Sequence, residues 1–251
     1  MRRAVGRRVR RHHLPVTAVT FLVDFHAHTG HSKDSLLPAA RLLEMAVRRG
    51  LAAIAVTDHD SLGGAEQALS LVQRDPARFG GLIVLPGEEI MTAEGEIAGL
   101  FIRSEIPRGL SPEETISRIR DQGGLVIVPH PFDRIRGSRL SEAALHRVAH
   151  LVDAIEGLNA RTTLAVDNRR AQTFAAERDL PVVAGSDAHV AREVGTAYLE
   201  LDEPPAQETS LLLAQIRRGR LGGGLSNPAV HVSSKLATWR KRLGLAPAVQ
   251  L

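Results

Sequence analysis

Short apolar runs alternate with longer helical stretches along most of this chain, and that alternation limits the possible folds more than any other feature. Seven runs are predicted strands, at residues 21–25, 52–57, 82–86, 96–102, 125–129, 154–158 and 181–185. Helical spacing predicts helices between them, at residues 38–49, 63–74, 112–122, 141–149 and 163–178. Several of the strands are apolar throughout, which is typical of parallel strands covered on both faces.

Repeated strand and helix units of this kind predict an α/β fold with a closed or nearly closed barrel. A doubly wound open sheet is the alternative. We assign residues 19–200 to the barrel and residues 201–251 to a C-terminal helical appendage of the same domain, with a basic helix near 232–243. Residues 1–18 are expected to form a basic, disordered tail.

Composition excludes several classes of protein. The chain has 251 residues and no Cys, so it has neither disulfides nor thiolate ligands nor a Cys nucleophile. No apolar run is long enough to cross a bilayer. The net charge of +4 comes from the two ends, because six Arg lie within residues 1–13 and seven bases without an acid lie within 217–251. The remaining body is acidic, which does not favour a fold whose whole surface binds nucleic acid.

Polar residues with metal-binding chemistry follow the predicted strands at one recurring place. Five of the 11 His lie there, together with several carboxylates. In a barrel the carboxyl ends of the strands share one rim, so these segments are expected to meet. The candidates are His26, His28, Asp34, His59, Glu89, His130, Asp187 and His189.

Imidazole and carboxylate ligands suit Zn²⁺, Mn²⁺ or Fe²⁺. Eight candidates exceed what one catalytic ion needs, since such an ion takes about three protein ligands and water. The set therefore predicts two or three divalent metal ions.

The order of these motifs resembles the PHP family, named for polymerase and histidinol phosphatase. The resemblance extends over residues 21–200 and implies a distorted seven-stranded β/α barrel with a multinuclear centre that hydrolyses phosphoesters. It further implies roles for single residues. His26, His28, Glu89 and Asp187 would hold a first metal, Asp34, His59 and His189 a second, and Glu89 and His130 a third.

One departure from the family pattern affects the third metal. Many members carry a His in the strand after the Glu motif, whereas this chain has Ala98 or a neighbour there. The expectation is that the third metal is absent, weak, or completed by water and substrate. The choice of Glu89 over Glu88 as ligand also follows from the resemblance.

The expected mechanism is attack on phosphorus by a metal-bound hydroxide. His59 and His189 are catalytic candidates through the metals they would hold. Asp58 is a third candidate, either orienting His59 or the attacking water, or only capping the following turn. Arg134 and Arg161 are candidates for clamping a phosphate group of the substrate.

The predicted function is therefore hydrolysis of a small phosphate monoester or nucleotide by a cytoplasmic, metal-dependent phosphoesterase. Two alternatives stay open: an oligonucleotide exonuclease or phosphodiesterase, and a catalytically silent metal-binding module. A small phosphorylated molecule is the expected partner, an oligonucleotide is a further candidate, and no membrane is expected. The sequence gives no oligomeric state.

Overall fold

The computed structural model describes residues 19–227 and 229–245, so the predicted tail at residues 1–18 lies outside the described residues. Nine strands form one sheet in the order β7-β6-β5-β4-β3-β2-β1-β8-β9. Their bounds are β1 Phe21–Asp24, β2 Leu51–His59, β3 Ile83–Thr92, β4 Gly95–Leu100, β5 Leu125–Val128, β6 Ala154–Asn159, β7 Val182–Gly185, β8 Ala197–Leu201 and β9 Arg220–Gly223. Each of the seven predicted strands overlaps one of β1 to β7.

The sheet curls so that the strands β1 and β7 meet. Phe25 N–H donates to the Ala184 carbonyl at 3.0 Å, and Ala27 pairs with Ala188 beyond the strand ends. The predicted barrel is therefore confirmed, but the sheet has nine strands rather than seven because β8 pairs antiparallel with β1 and β9 pairs antiparallel with β8. The strand β4 is also antiparallel to both its neighbours, since a tight turn joins it to β3.

Helices cover the outside of the sheet. Their bounds are α1 Ala39–Arg48, α2 Gly63–Arg74, α3 Pro76–Phe79, α4 Pro112–Asp121, α5 Glu142–Val148, α6 Ala165–Ala176, α7 Thr209–Ile216 and α8 Val230–Arg242. The start of α4 shows why this helix could be predicted from the sequence. Ser111 Oγ accepts the Glu114 N–H at 3.1 Å, with Pro112 in the first turn, and Gly123 adopts a φ of 74° after the helix.

The C-terminal segment contributes to the sheet as well as to the helical layer. The strand β8 spans residue 200, where the sequence suggested a boundary, and β9 belongs to the segment described as helical. The helix α8 confirms the predicted basic helix. Among the described residues, no helix is long and apolar enough to span a membrane.

Candidate metal centre

The five motif histidines converge at the carboxyl ends of the parallel strands. His26 and His28 follow β1, His59 ends β2, His130 follows β5, and His189 follows β7. Their rings are close neighbours: the centroids of His28 and His189 are 4.3 Å apart, and those of His28 and His59 are 4.5 Å apart. The convergence expected from the sequence is thus observed.

A first group of donor atoms forms around His26 and His28. Their Nε2 atoms lie 3.0 Å apart, and each is 3.4 Å from Glu89 Oε2. Asp187 Oδ1 is 3.2 Å from His28 Nε2 and 3.8 Å from His26 Nε2. All four side chains are buried, and His26, His28 and Asp187 offer donor atoms close enough to hold one cation.

A second group forms around the partly buried loop residue Asp34. Its carboxylate lies 3.5 Å from His59 Nε2 and 3.2 Å from His189 Nε2. The charges of the histidines and their hydrogen bonds hold the pKa of Asp34 far below its usual range, although burial opposes this shift. A nitrogen from each of His28, His59 and His189 lies close enough to share an ion.

A third group includes a residue that the sequence analysis did not assign. Glu89 Oε1 lies 2.9 Å from His130 Nε2, and Glu96 Oε2 lies 3.7 Å from the same nitrogen. Glu96 Oε1 is also 3.5 Å from His59 Nδ1. His59, Glu89 and Glu96 therefore offer donors within reach of one cation.

The strand direction explains why the ligand position is Glu96 and not Ala98. The antiparallel strand β4 begins at the rim where the parallel strands end, so Glu96 lies opposite Met91 near the rim, while Ala98 lies deeper, opposite Glu89. Ala98 packs in an apolar cluster. Glu96 of the same strand places a carboxylate beside Glu89 and His130, while the absence or weakness of the third metal stays a prediction.

Unpaired oxygen atoms indicate that this cluster is built for cations. Asp34 Oδ1, Glu89 Oε2, Glu96 Oε2 and Asp187 Oδ1 are buried without a hydrogen-bond partner among the described residues. Buried polar atoms are normally paired, and leaving one unpaired costs about 1–3 kcal/mol. Divalent ions would supply the missing partners, so the residues fit the predicted metals.

Outer hydrogen bonds turn the inner nitrogens of three histidines toward the centre. His26 Nδ1 contacts Glu156 Oε1 at 3.1 Å, and His189 Nδ1 contacts the Asp187 carbonyl at 2.7 Å. His28 Nδ1 contacts Ser32 Oγ at 3.1 Å. Each Nε2 is then free to act as a ligand.

Asp58 lies outside the group of ligand candidates, and its predicted catalytic role stays a prediction. Its buried carboxylate accepts hydrogen bonds from the backbone and hydroxyl groups of Thr29 and Ser32, including Ser32 Oγ at 2.5 Å. Because the Ser32 hydroxyl has one proton and gives it to Asp58, it accepts from His28 Nδ1–H. Asp58 therefore positions His28 through Ser32 and does not contact the His59 ring.

The two arginines named from the sequence have different surroundings. Arg134 is exposed, its guanidinium pairs with Asp167 at 2.7 Å and it does not line the cavity, so its substrate contact stays a prediction without support from the site geometry. Arg161 does line the cavity, where it lies 3.4 Å from Glu193 and donates to Ser234 Oγ at 2.8 Å. A third guanidinium, that of Arg136, is hydrogen-bonded to Asp187 and faces the cavity.

The cavity beside the cluster has a volume of about 450 Å³. Basic side chains are prominent in its wall, with Lys33 and Lys235 joining the two arginines. Acidic wall residues are Asp34, Glu96 and Asp133. Lys235 comes from α8, so the C-terminal segment helps to form the cavity.

Comparison with family models gives two matches. Residues 24–105 match the PHP domain, and residues 166–221 match the PHP-associated model. Two uncharacterized proteins of Methanocaldococcus jannaschii are similar in sequence. One is 39% identical over 148 residues, which is 55% of this chain and 81% of the relative. The other is 34% identical over 184 residues, 72% of this chain and 70% of the relative.

Solved structures share the fold at lower identity. A two-domain protein from Bacteroides vulgatus containing a predicted PHP-like metal-dependent phosphoesterase has 17% identity and a TM-score of 0.65, over 87% of this chain and 70% of that one. An amidohydrolase from Chromobacterium violaceum, solved with bound sulfate and no metal, has 18% identity and a TM-score of 0.58, over 77% of this chain and 96% of that one.

Proposed function

Because this chain belongs to the PHP family, we propose that it hydrolyses a small phosphate monoester, a nucleotide included, with two or three divalent cations. The observation that carries this proposal is the set of four unpaired, buried carboxylate oxygens among five imidazoles, next to a cavity with basic walls. Zn²⁺, Mn²⁺ and Fe²⁺ all suit such ligands.

The residues of the chain would each contribute a defined part of the reaction. His26, His28, Glu89 and Asp187 would hold one cation, and Asp34, His59 and His189 a second. Glu89, Glu96 and His130 would hold a third, with Glu89 shared. When bound, such cations supply a hydroxide nucleophile near neutral pH and neutralise charge on the phosphoryl oxygens.

Basic residues around the cavity support an anionic substrate. Lys33 and Lys235 are placed to attract it at the wall, and Arg136 faces the space where a phosphoryl oxygen would lie. Arg161 stays a candidate phosphate ligand, although Glu193 and Ser234 already engage it. A volume of about 450 Å³ suits a small molecule better than a strand of nucleic acid.

The test is hydrolysis by the purified protein with its metal content measured by mass spectrometry. An aryl phosphate monoester, the matching diester and a panel of phosphorylated metabolites would be compared. We expect monoester hydrolysis that a chelator abolishes and added metal restores.

Other results would support other functions. Faster cleavage of the diester or of an oligonucleotide would favour a phosphodiesterase. Bound metal without any hydrolysis of the panel would favour a silent metal-binding module.

A further inference from the structure

The C-terminal helix α8 has one face fixed to the barrel. Val230 and Ala237 are buried on that face, and Ser234 accepts a hydrogen bond from Arg161 at 2.8 Å. Near the helix end, the Lys241 ammonium donates to the carbonyls of Gly30 and Ser32. The orientation of α8 is therefore set by contacts at both ends.

The opposite face carries a row of exposed apolar side chains. Val232, Leu236, Trp239 and Leu243 are 66%, 50%, 55% and 54% exposed. They follow one another at intervals of four, three and four residues, which places them on one stripe of a helix with 3.6 residues per turn. The part of the chain that the structure describes leaves this stripe largely open to solvent.

Basic residues border the apolar stripe on both sides. At 100° per residue, Lys235 and Arg242 lie on one side of it and Arg240 lies on the other. All three are exposed, and residues 217–251 contain no acidic residue at all. An apolar row between two basic edges matches the pattern of a helix that lies in a membrane interface.

We propose that this face of α8 docks on an anionic lipid surface. Apolar side chains would enter the interface while Arg240 and Arg242, on its two sides, contact the headgroups. Self-association through the same face would bring two sets of bases together, since a two-fold contact pairs identical patches. A nucleic acid would use the bases but leave the apolar row uncovered. Lipid is the occupant that uses both features.

The proposed lipid contact is peripheral, whereas the expectation of no membrane partner was based on the lack of a membrane-spanning segment. The four apolar residues of the docking face, with Arg240 and Arg242, do not line the cavity, so the proposal does not depend on the reaction that the centre catalyses. Its success or failure therefore says nothing about phosphoester hydrolysis.

Trp239 makes the test direct, because it is the only tryptophan in the chain. The full-length protein would be titrated with vesicles of phosphatidylcholine alone and of phosphatidylcholine with phosphatidylglycerol. We expect a blue shift of the Trp239 emission, together with co-sedimentation, only with the anionic vesicles. High salt is expected to weaken both.

Variants separate the helix from the Arg-rich N-terminus, which would also be attracted to anionic vesicles. Leu236→Ser is expected to weaken partitioning roughly ten-fold. Arg240→Gln and Arg242→Gln are expected to weaken it about five-fold each. Leu211→Ser is the matched control, because Leu211 is exposed to a similar extent, at 59% against 50% for Leu236, but lies on α7.

Several results would overturn the proposal. One is the absence of a blue shift with any vesicle, and another is an equal shift with neutral vesicles. A shift that depends on protein concentration without lipid would assign the face to a second copy of the chain. Vesicle binding that Leu236→Ser leaves unchanged would assign it to other basic segments. Thermal unfolding of each variant checks that α8 remains folded.

Discussion

Two neighbouring glutamates of β3 lie on opposite sides of the strand and have opposite electrostatic environments. Burial would raise the pKa of Glu89, but the charges of His26 and His59 and the hydrogen bond from His130 hold it well below the usual range. Burial raises the pKa of Glu88 to about 7, and nearby Glu105 and Asp60 add to this rise, although the Ile106 N–H opposes it.

The difference shows what each side of the strand is built to bind. The Glu89 side collects imidazoles and buried oxygens without partners, so it is suited to cations. On the Glu88 side, Oε2 accepts the Ile106 N–H at 3.0 Å while Oε1 is buried without a partner. A carboxyl there keeps its proton to a higher pH than an ordinary glutamate does. Residue type and burial are the same at both positions, and only the neighbours decide the charge.

The sharpest test of this comparison exchanges each glutamate for glutamine. Glu89→Gln removes the charge that the first and third groups of donors share, so hydrolysis should fall by about 10³-fold or more and the bound metal should decrease. Glu88→Gln is the matched control and should keep both metal and activity at neutral pH. Equal losses of metal and activity in the two variants would show that the substitutions disturb folding and do not act through cation binding.

A second test extends the comparison to β4. Glu96→Gln should lower the metal content by up to one equivalent and reduce activity by about 10–100-fold, because it removes one donor of the third group. Metal analysis beside kinetics measures both. Unchanged metal content and rate would show that Glu96 is not a metal ligand. The third group would then be the weak site expected from the sequence.

A third test addresses the outer hydrogen bonds of the cation side. Ser32→Ala leaves His28 Nδ1 without its partner, so we expect metal affinity to fall by about 10–100-fold. Ser111→Ala, the matched control, removes the N-cap of α4 and should cost about 1 kcal/mol of stability without changing metal affinity. Competition with a chelating dye measures the affinity, and equal affinity in both variants would contradict the role of Ser32.

The strands, the helices and the meeting of the histidines could be predicted because they depend on local pattern. Apolar runs mark β1 to β7, and parallel strands bring their carboxyl ends together wherever the loops lead. The strand β8 was missed although its alternation of apolar and polar residues is typical of a half-buried strand, and β9 was missed because two of its four residues are glycine.

The differences from expectation at the site concern strand direction and side-chain direction. Glu96 was missed because an antiparallel strand presents its beginning, not its end, to the rim. Asp58 and Arg134 follow the right strands, yet their side chains turn to Ser32 and Asp167. The position of a residue after a strand predicts that it lies at the rim of the barrel. Which side chain it contacts there depends on packing between segments that are distant in the sequence.

The smallest expected effect is on stability, and it comes from the Glu88 side. A folded-state pKa of about 7, above the ordinary value of 4.5, means that the folded protein binds an extra proton between these pH values. The contribution of Glu88 to stability is therefore complete below pH 4.5 and is lost as the pH rises through 7.

Glu88→Gln cannot titrate, so its stability relative to the unaltered protein should increase from pH 5 to pH 8. The full shift would correspond to about 3 kcal/mol. Relaxation of the covering loop reduces the expected change to about 1 kcal/mol, or roughly 2–4 °C in Tm. Comparing the two proteins at each pH cancels the pH dependence of metal binding, which they share. A difference in Tm that is the same at pH 5 and pH 8 would show that Glu88 is charged at both. Glu88 and Glu89 would then differ in the geometry of their surroundings but not in their charge.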